Sequence, residues 1–302
     1  MENLIERINK LKKEKNAIIL AHSYQNIEID KVADYVGDSL YLSQKAKNTK
    51  ADIIVFAGVY FMAQTAKIIS PDKKVLLPNK TAGCLMADMI NLKQIVEFKN
   101  KYPNLPVVCY INSTAEVKSE CDICCTSSNA IEIVRSLNAP KVLFVPDKNL
   151  GKHVESQLNG VEVITYEGCC PVHDNVTIQS ILDSKAKYPN AKVLIHPECK
   201  PSVSSLGDYI GSTSGIIDYV KNSSEKQFII VTEKGVADRL KRDYPEKEFI
   251  LISENMLCES MKLTTLEEIL YSLEKEVNEI TLDESVRQKS ASCIERMLKV
   301  SR

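Results

Sequence analysis

The chain has 302 residues, in which 39 lysines and arginines face 40 aspartates and glutamates for a formal net charge of −1. With no basic surplus it has no field to draw in a polyanion, which removes nucleic acid and anionic membrane surfaces from the expected partners and leaves a small ligand. No run of 18 apolar residues and no signal-peptide core occur, so the expected location is cytoplasmic, where the ten cysteines serve as metal ligands, catalytic groups or small buried hydrophobes rather than as a disulfide framework.

The first expected element is a surface helix over Glu2 to Lys15, with Leu4, Ile5, Ile8 and Leu11 on one face. One pattern then repeats three times. Copy one runs through a strand (Ala17 to Tyr24), a hydroxyl-rich helix start (Gly37-Asp38-Ser39), a second strand (Ala51 to Ala57), a helix, and a third strand leading to a cysteine (Lys74 to Cys84). Copy two offers Pro106 to Ser113, Cys125-Thr126-Ser127-Ser128, Lys141 to Pro146 and Val161 to Cys170. Copy three offers Lys192 to Glu198, Gly211-Ser212-Thr213-Ser214-Gly215, Gln227 to Thr232 and Glu248 to Cys258. Short Val- and Ile-rich strands alternating with helical period define the α/β class, with parallel sheets covered by helices. A period this long marks duplicated domains, and three equal copies close into a ring. The expected domains are 1–85 plus 259–302, 86–171 and 172–258. After Cys258 the strands cease. Thr264-x-x-Glu267 reads as a capping box opening a helix with Leu266, Ile269, Leu270 and Leu273 inward, Ser285 to Val300 reads as another helix, and both are expected to pack on the first domain.

In open α/β sheets ligands collect at the carboxyl ends of strands. His22 and Tyr24, Tyr110 and Asn112, and His196 and Glu198 follow the first strands of the three copies. Ser39, Ser127 and Thr213 sit at helix starts, where free N–H groups and the helix dipole favour an anion; the competing role for such hydroxyls is N-capping. Cys84, Cys170 and Cys258, spaced 86 and 88 residues apart, can meet on three-fold closure. Three thiolates suit either zinc with an open position or a 4Fe-4S cluster with one iron free to act as a Lewis acid. Cys121-x-x-Cys124, followed by Cys125, also reads as a redox pair or half a zinc site, with no second CxxC to complete it. Cys109, Cys199 and Cys293 read as packing residues.

Ten ordered motifs give the chain a family resemblance: HSYQ at His22, GDSL at Gly37, GVYFMAQTAKI at Gly58, GCLMADM at Gly83, YINSTAEVK at Tyr110, CCTSSNA at Cys124, CPVH at Cys170, HPEC at His196, GSTSG at Gly211 and CESMKLTTL at Cys258. Over nearly its whole length the chain resembles the quinolinate synthases, iron–sulfur enzymes of NAD biosynthesis. The resemblance implies three αβα sandwich domains about a pseudo-three-fold axis and one 4Fe-4S cluster at the bottom of a central cavity, held by Cys84, Cys170 and Cys258, with one iron open. The cysteine-to-histidine spacing of CPVH selects Cys170 over Cys169. The implied reaction condenses iminoaspartate with dihydroxyacetone phosphate to quinolinate, phosphate and two waters, with L-aspartate oxidase or dehydrogenase upstream. The implied substrate-binding residues are His22, Ser39, Tyr110, Ile111 (by backbone), Asn112, Ser127, His196, Pro197 (by backbone), Glu198 and Thr213. Tyr24 and Glu198 are the candidates for proton transfer, with His22 and His196 assisting or positioning.

Two other classes stay open at this level. Hydroxymethylbutenyl diphosphate reductases resemble the same three-lobed, three-cysteine plan but consume electrons, and an iron–sulfur sensor needs a partner-binding surface. Gln64 departs from the acidic residue expected of the family at that position, and the cysteine group from Cys121 to Cys125 is richer than its pattern requires.

Overall fold

The computed structural model describes residues 2–301. Twelve strands form three four-stranded sheets in which every pairing is parallel. The first sheet holds β1 (Ala17–His22), β2 (Tyr35–Gly37), β3 (Ile53–Ala57) and β4 (Lys74–Leu76) in the order β2-β1-β3-β4. The second holds β5 (Val107–Tyr110), β6 (Ile123–Cys125), β7 (Lys141–Val145) and β8 (Glu162–Thr165), ordered β6-β5-β7-β8. The third holds β9 (Lys192–Ile195), β10 (Tyr209–Ile210), β11 (Gln227–Val231) and β12 (Glu248–Leu251), ordered β10-β9-β11-β12. The same winding order three times makes three αβα units, as the sequence predicts.

Each sheet has one strand more than the sequence reading assigned. The edge strands β2, β6 and β10 are only two or three residues long and carry no hydrophobic run of their own. Each is set by an aspartate just before it. Asp34, Asp122 and Asp208 accept the backbone N–H of Ile19, Val107 and Val193 at 2.7, 2.7 and 2.8 Å, and their own N–H groups bond back to the carbonyls of the same residues. The third strands are shorter than expected. They end at Leu76, Thr165 and Leu251, so Cys84, Cys170 and Cys258 ride on loops beyond the strands.

Alternation within a buried parallel strand sends successive side chains to opposite faces. In β1, Ile19 and Ala21 pack under the N-terminal helix Glu2–Glu14 and the helix Leu266–Lys275, while Leu20 joins the opposite core with Ile54, Leu42 and Met62. That second core is continuous with the second unit through Val108, Ile133 and Phe144. The third sheet has its own clusters on its two faces.

The capping box before Leu266–Lys275 lies one residue later than predicted: Thr265 accepts the Glu268 N–H at 3.2 Å, and Glu268 accepts the Thr265 N–H at 3.0 Å. Leu266, Ile269, Leu270 and Leu273 are buried as expected. The final helix, Glu284–Val300, does not pack on the first unit alone. It also lies against β6 and the short helices of the second unit, with Cys293, Ile294, Met297 and Leu298 in the shared core. Among the described residues no helix is long and apolar enough to cross a membrane.

Candidate active site

The carboxyl ends of the three sheets converge on one cavity of about 70 Å³. Three strand-end triplets enter it: His22-Ser23-Tyr24, Tyr110-Ile111-Asn112 and His196-Pro197-Glu198. The chain turns just past each strand end, with Gln25 and Cys199 donating their N–H groups back to the His22 and His196 carbonyls at 2.9 and 3.0 Å, and the first and third residue of each triplet line the cavity while the middle one does not. Ile111 and Pro197 therefore do not line it. The Ile111 N–H donates to the Cys125 carbonyl at 2.8 Å, and its carbonyl accepts the Ser113 N–H at 2.8 Å.

The hydroxyl residues Ser39, Ser127 and Thr213 all line the cavity, and none of them caps a helix. The helix Ser39–Asn48 is capped by Asp38, which accepts the Tyr41 N–H at 3.0 Å, and the helix Thr213–Asn222 by Ser212, which accepts the Gly215 N–H at 3.1 Å. Ser39 and Thr213 are the first helical residues, so neither hydroxyl is spent as the cap. In the second unit the helix begins at Ala130, later than the sequence reading placed it, and Ser127 lies in the preceding turn, where the Asn129 side chain accepts the Thr126 N–H at 2.6 Å. The glycine before the cap in the first and third units is forced by close approach: a Cβ on Gly37 would meet the Tyr41 ring at 2.5 Å, and one on Gly211 the Tyr209 ring at 2.5 Å.

Cys84, Cys170 and Cys258 line the same cavity. One backbone contact, repeated three times, docks their loops. The first helical residue after each second strand donates its N–H to the carbonyl two residues before the cysteine: Tyr60 to Ala82 at 2.8 Å, Lys148 to Gly168 at 2.8 Å and Lys234 to Met256 at 2.7 Å. In two units a buried acid adds a second tether. Asp147 accepts the Cys170 N–H at 3.2 Å and Glu233 the Cys258 N–H at 3.3 Å, while each also caps its own helix through Leu150 and Gly235. Val59 holds the corresponding place in the first unit and has no acceptor.

Burial pushes the Cys84 thiol up to about 12 and raises Cys170 and Cys258 as well, so a metal bound there must displace protons. Among the described residues the one set of three donors within 4.8 Å of one another is Cys170, His173 and Glu198, so the three sulfurs are spread wider than a single ion allows. Two thiolates on one tetrahedral zinc, at Zn–S of about 2.3 Å, lie within roughly 4 Å of each other. In a polynuclear cluster each cysteine binds a different iron, and the wider spread fits. On their other side the cysteines border an outer recess with Leu85, Pro171 and Leu257, so they stand in the wall between cavity and surface.

The polar groups form one network. The Tyr110 hydroxyl donates to Glu198 Oε1 at 2.6 Å, and His173 Nδ1 lies 2.8 Å from Glu198 Oε2 and 3.3 Å from Cys170 Sγ. His173 Nε2 reaches Thr232 Oγ1 at 3.0 Å, which meets the Tyr24 hydroxyl at 3.2 Å, and Thr213 Oγ1 donates to that hydroxyl at 3.2 Å. Burial pushes the Glu198 carboxyl up, but His196, His173 and Tyr110 outweigh it and bring it down to about 2. Burial lowers His22 to about 4 and His196 to about 3. In each of these histidines Nδ1 accepts the N–H two residues on, from Tyr24 at 3.1 Å and from Glu198 at 3.4 Å, which places the proton of the neutral ring on Nε2. Burial raises Tyr24 and Tyr110 well above the usual phenol range. Asn112 Oδ1 is buried with no partner, a polar atom that a ligand donor would satisfy.

Contacts between units hold these groups in place. Arg239 of the third unit donates to the Ser23 and Gln25 carbonyls at 2.6 and 2.9 Å and to Asp30 Oδ1 at 2.5 Å, fixing the loop that carries Tyr24. Asn149 of the second unit donates to the Glu198 carbonyl at 2.9 Å. Asp38 Oδ2 accepts from Ser128 at 2.7 Å and from Ser214 at 2.6 Å, latching all three units beside the cavity.

Sequence reasoning left Asp38, Thr232 and Glu233 out of the site, and it noticed His173 beside a repeat-closing cysteine without giving it a role. His173 and Asp38 stand inside quoted motifs. Asp147 and Glu233 share a visible signal, an acidic residue two places after the last residue of the second strand. Gln64, the departure from the expected acid, is buried and accepts the Ala115 N–H at 3.2 Å.

A family model described as quinolinate synthetase A protein matches residues 6–299. The quinolinate synthase of Alkaliphilus metalliredigens is 52% identical over 298 residues, covering 99% of this chain and 98% of that protein. Those of Clostridioides difficile and Methanosarcina barkeri are 47% and 50% identical, over 99% and 98% of this chain and 99% and 97% of their own lengths. The likeness is full-length on both sides and runs through every lobe of the three-unit cavity, and the chain belongs to the quinolinate synthetase A family.

Proposed function

We propose that this chain is a quinolinate synthase, joining iminoaspartate to dihydroxyacetone phosphate and releasing quinolinate, phosphate and two waters. The observation that carries the reading is the convergence of one cysteine, one strand-end pair and one hydroxyl from each of three like units on a single cavity. The relatives named above are all quinolinate synthases, which leaves the reductase reading without support. The three functional lobes are 1–85 with 259–302, 86–171 and 172–258. We place the enzyme in the cytoplasm, supplied with iminoaspartate by L-aspartate oxidase or dehydrogenase.

Cys84, Cys170 and Cys258 would hold a 4Fe-4S cluster. When bound, such a cluster with one iron lacking a protein ligand supplies a Lewis acid. The chain's own groups do the rest. Ser39 and Ser127 offer hydroxyls for the phosphate and carboxylate oxygens, and at Ser39 and Thr213 the helix N–H groups add to them. His22 and His196 stay neutral and present Nε2–H donors, which bind an anion without adding charge. Asn112 offers its unpaired oxygen to a substrate N–H or O–H.

Tyr24 keeps its proton and serves as general acid, with Thr213 and Thr232 fixing its hydroxyl. Glu198, held below the usual carboxylate range, stays ionised and serves as proton acceptor for C–H groups that a neighbouring carbonyl or imine has made acidic. Tyr110 and His173 orient it.

The test is to purify the protein without oxygen, count iron and sulfide, and assay quinolinate from the two substrates with no reductant added. Turnover with about four irons per chain is expected, and a requirement for electrons would refute the reading. Cys258→Ala should lose the stable 4Fe-4S centre, and full iron content in that variant would overturn the ligand assignment.

A further inference from the structure

Outside the cavity, behind β5 and β6, lies a second group of thiols that the catalytic reading does not use. Cys109 on β5 pairs in register with Cys124 on β6, and Cys124 Sγ lies 3.1 Å from Cys293 Sγ on the final helix. Cys121 completes the group from the half-buried edge of the second unit. Among them sits Lys118, fully buried, with its ammonium donating to the Ser113 carbonyl at 2.5 Å and to Thr65 Oγ1 at 3.2 Å. No carboxylate among the described residues pairs with it, and the groups that oppose its charge are Cys124, Cys109, Cys293 and Cys121.

A buried cation without a carboxylate is expensive unless another anion faces it, and the neighbouring sulfurs are the groups that can become one. Burial raises the thiols of Cys124 and Cys293, whereas Cys109, bonded by Cys121 and Cys124 and facing Lys118, is held well below its ordinary value, so the case for the pair rests on the short sulfur–sulfur distance. A metal is the other use for four cysteines. It fails on geometry: no three of these sulfurs fall within 4.8 Å of one another, a spread too wide for one tetrahedral site.

We propose that Cys124 and Cys293 are a redox dithiol, which a peroxide converts to a disulfide fastening the final helix to β6. A disulfide needs about 2.0 Å between sulfurs, so the pair must close by roughly 1 Å. One thiol gives up its proton and its sulfur attacks the peroxide, the O–O bond breaks, and the released proton joins the departing hydroxide, leaving a sulfenic acid and one water. The second thiol then attacks that sulfur, the S–O bond breaks, and its proton leaves with the hydroxide as a second water. Two electrons pass from the two sulfurs to the peroxide, and a small dithiol reverses the step. The bond would form on the strand that leads through Thr126 to Ser127, next to the strand that ends at Tyr110.

The test reads sulfur and not turnover, so it stands apart from the catalytic assignment. Anaerobically purified protein carrying its metal is exposed to a small excess of hydrogen peroxide, denatured in alkylating reagent, digested without reductant and weighed by mass spectrometry. The expected product is a cross-linked peptide pair containing Cys124 and Cys293, two hydrogens lighter than the sum of its parts and lost on adding dithiothreitol. Cys293→Ala, which replaces one small buried apolar group with another, should fold and yield no such pair. Cys124 and Cys293 both recovered fully alkylated after other thiols have been oxidised would overturn the proposal, as would Cys124 carried to sulfinic acid with Cys293 still free.

Discussion

Lowering the pH from 7 to 5 should destabilise this protein in a way that a single substitution at His22 partly abolishes. The folded chain holds His22 at about 4, against 6.5 for an unperturbed imidazole, because the ring is buried. The unfolded chain therefore takes up a proton that the folded chain refuses. Stability falls as the pH drops through 6.5 and stops falling from this source below about 4. At about 1.4 kcal/mol per pH unit, the span from 6.5 to 5 costs about 2 kcal/mol, and the full gap about 3 kcal/mol. His196, held at about 3, adds a similar loss at pH 5. In His22→Asn the amide oxygen can still accept the Tyr24 N–H but cannot titrate. Urea unfolding of both proteins at pH 7 and pH 5 supplies four free energies. The pH-dependent loss should be about 2 kcal/mol smaller in the variant than in the parent. Equal losses would show that His22 titrates alike in both states and would refute the reasoning.

Three further outcomes are expected. Tyr24→Phe should keep its iron and its fold but lose turnover by roughly a hundredfold or more, the usual worth of a positioned general acid; an unchanged rate removes Tyr24 from the mechanism. Glu233→Ala strips the tether from Cys258 and the carboxylate from Lys262, which lies 3.1 Å away. It should cost about 3 kcal/mol and lower iron retention, while Glu233→Gln, which still offers an oxygen to the Cys258 N–H, should restore iron more than stability; iron content is the readout, and equal iron in all three proteins would contradict the tether. Asp38→Ala removes a helix cap worth about 1 kcal/mol and the shared acceptor of Ser128 and Ser214, for a total near 3 kcal/mol by urea midpoint. A loss no greater than that of the cap alone would mean the latch contributes nothing.

Much of this architecture was legible because it is written in local chemistry and in repetition. The Val- and Ile-rich strands, the cysteine closing each copy and the hydroxyls ahead of the helices all follow from patterns that one segment carries by itself. The strand-end triplets were legible because each follows directly on an apolar strand, at the end where parallel sheets gather their ligands. The short edge strands were not, because two or three residues in β10 or β2 carry no periodicity. They exist through the aspartates that clip them to their neighbours. The capping box showed the same limit at finer grain. Consecutive threonines, Thr264 and Thr265, fit the motif one residue apart, and packing chose the second.

What the sequence determined on its own, then, was the α/β class, the three-fold repetition, the identity of the three cysteines and the polar side chains at the strand ends. Each depends on residue type, on short-range spacing or on the repetition of one pattern along the chain. The tertiary structure alone decided which hydroxyls cap and which face the cavity, that Asp147 and Glu233 hold the cysteine loops, that Asp38 ties three units together, and that the final helix brings Cys293 against Cys124. Those pairings join residues as many as 176 positions apart. Nothing in either partner's own segment announces them, because hydrogen-bond and sulfur contacts of that range exist only once separate units have packed.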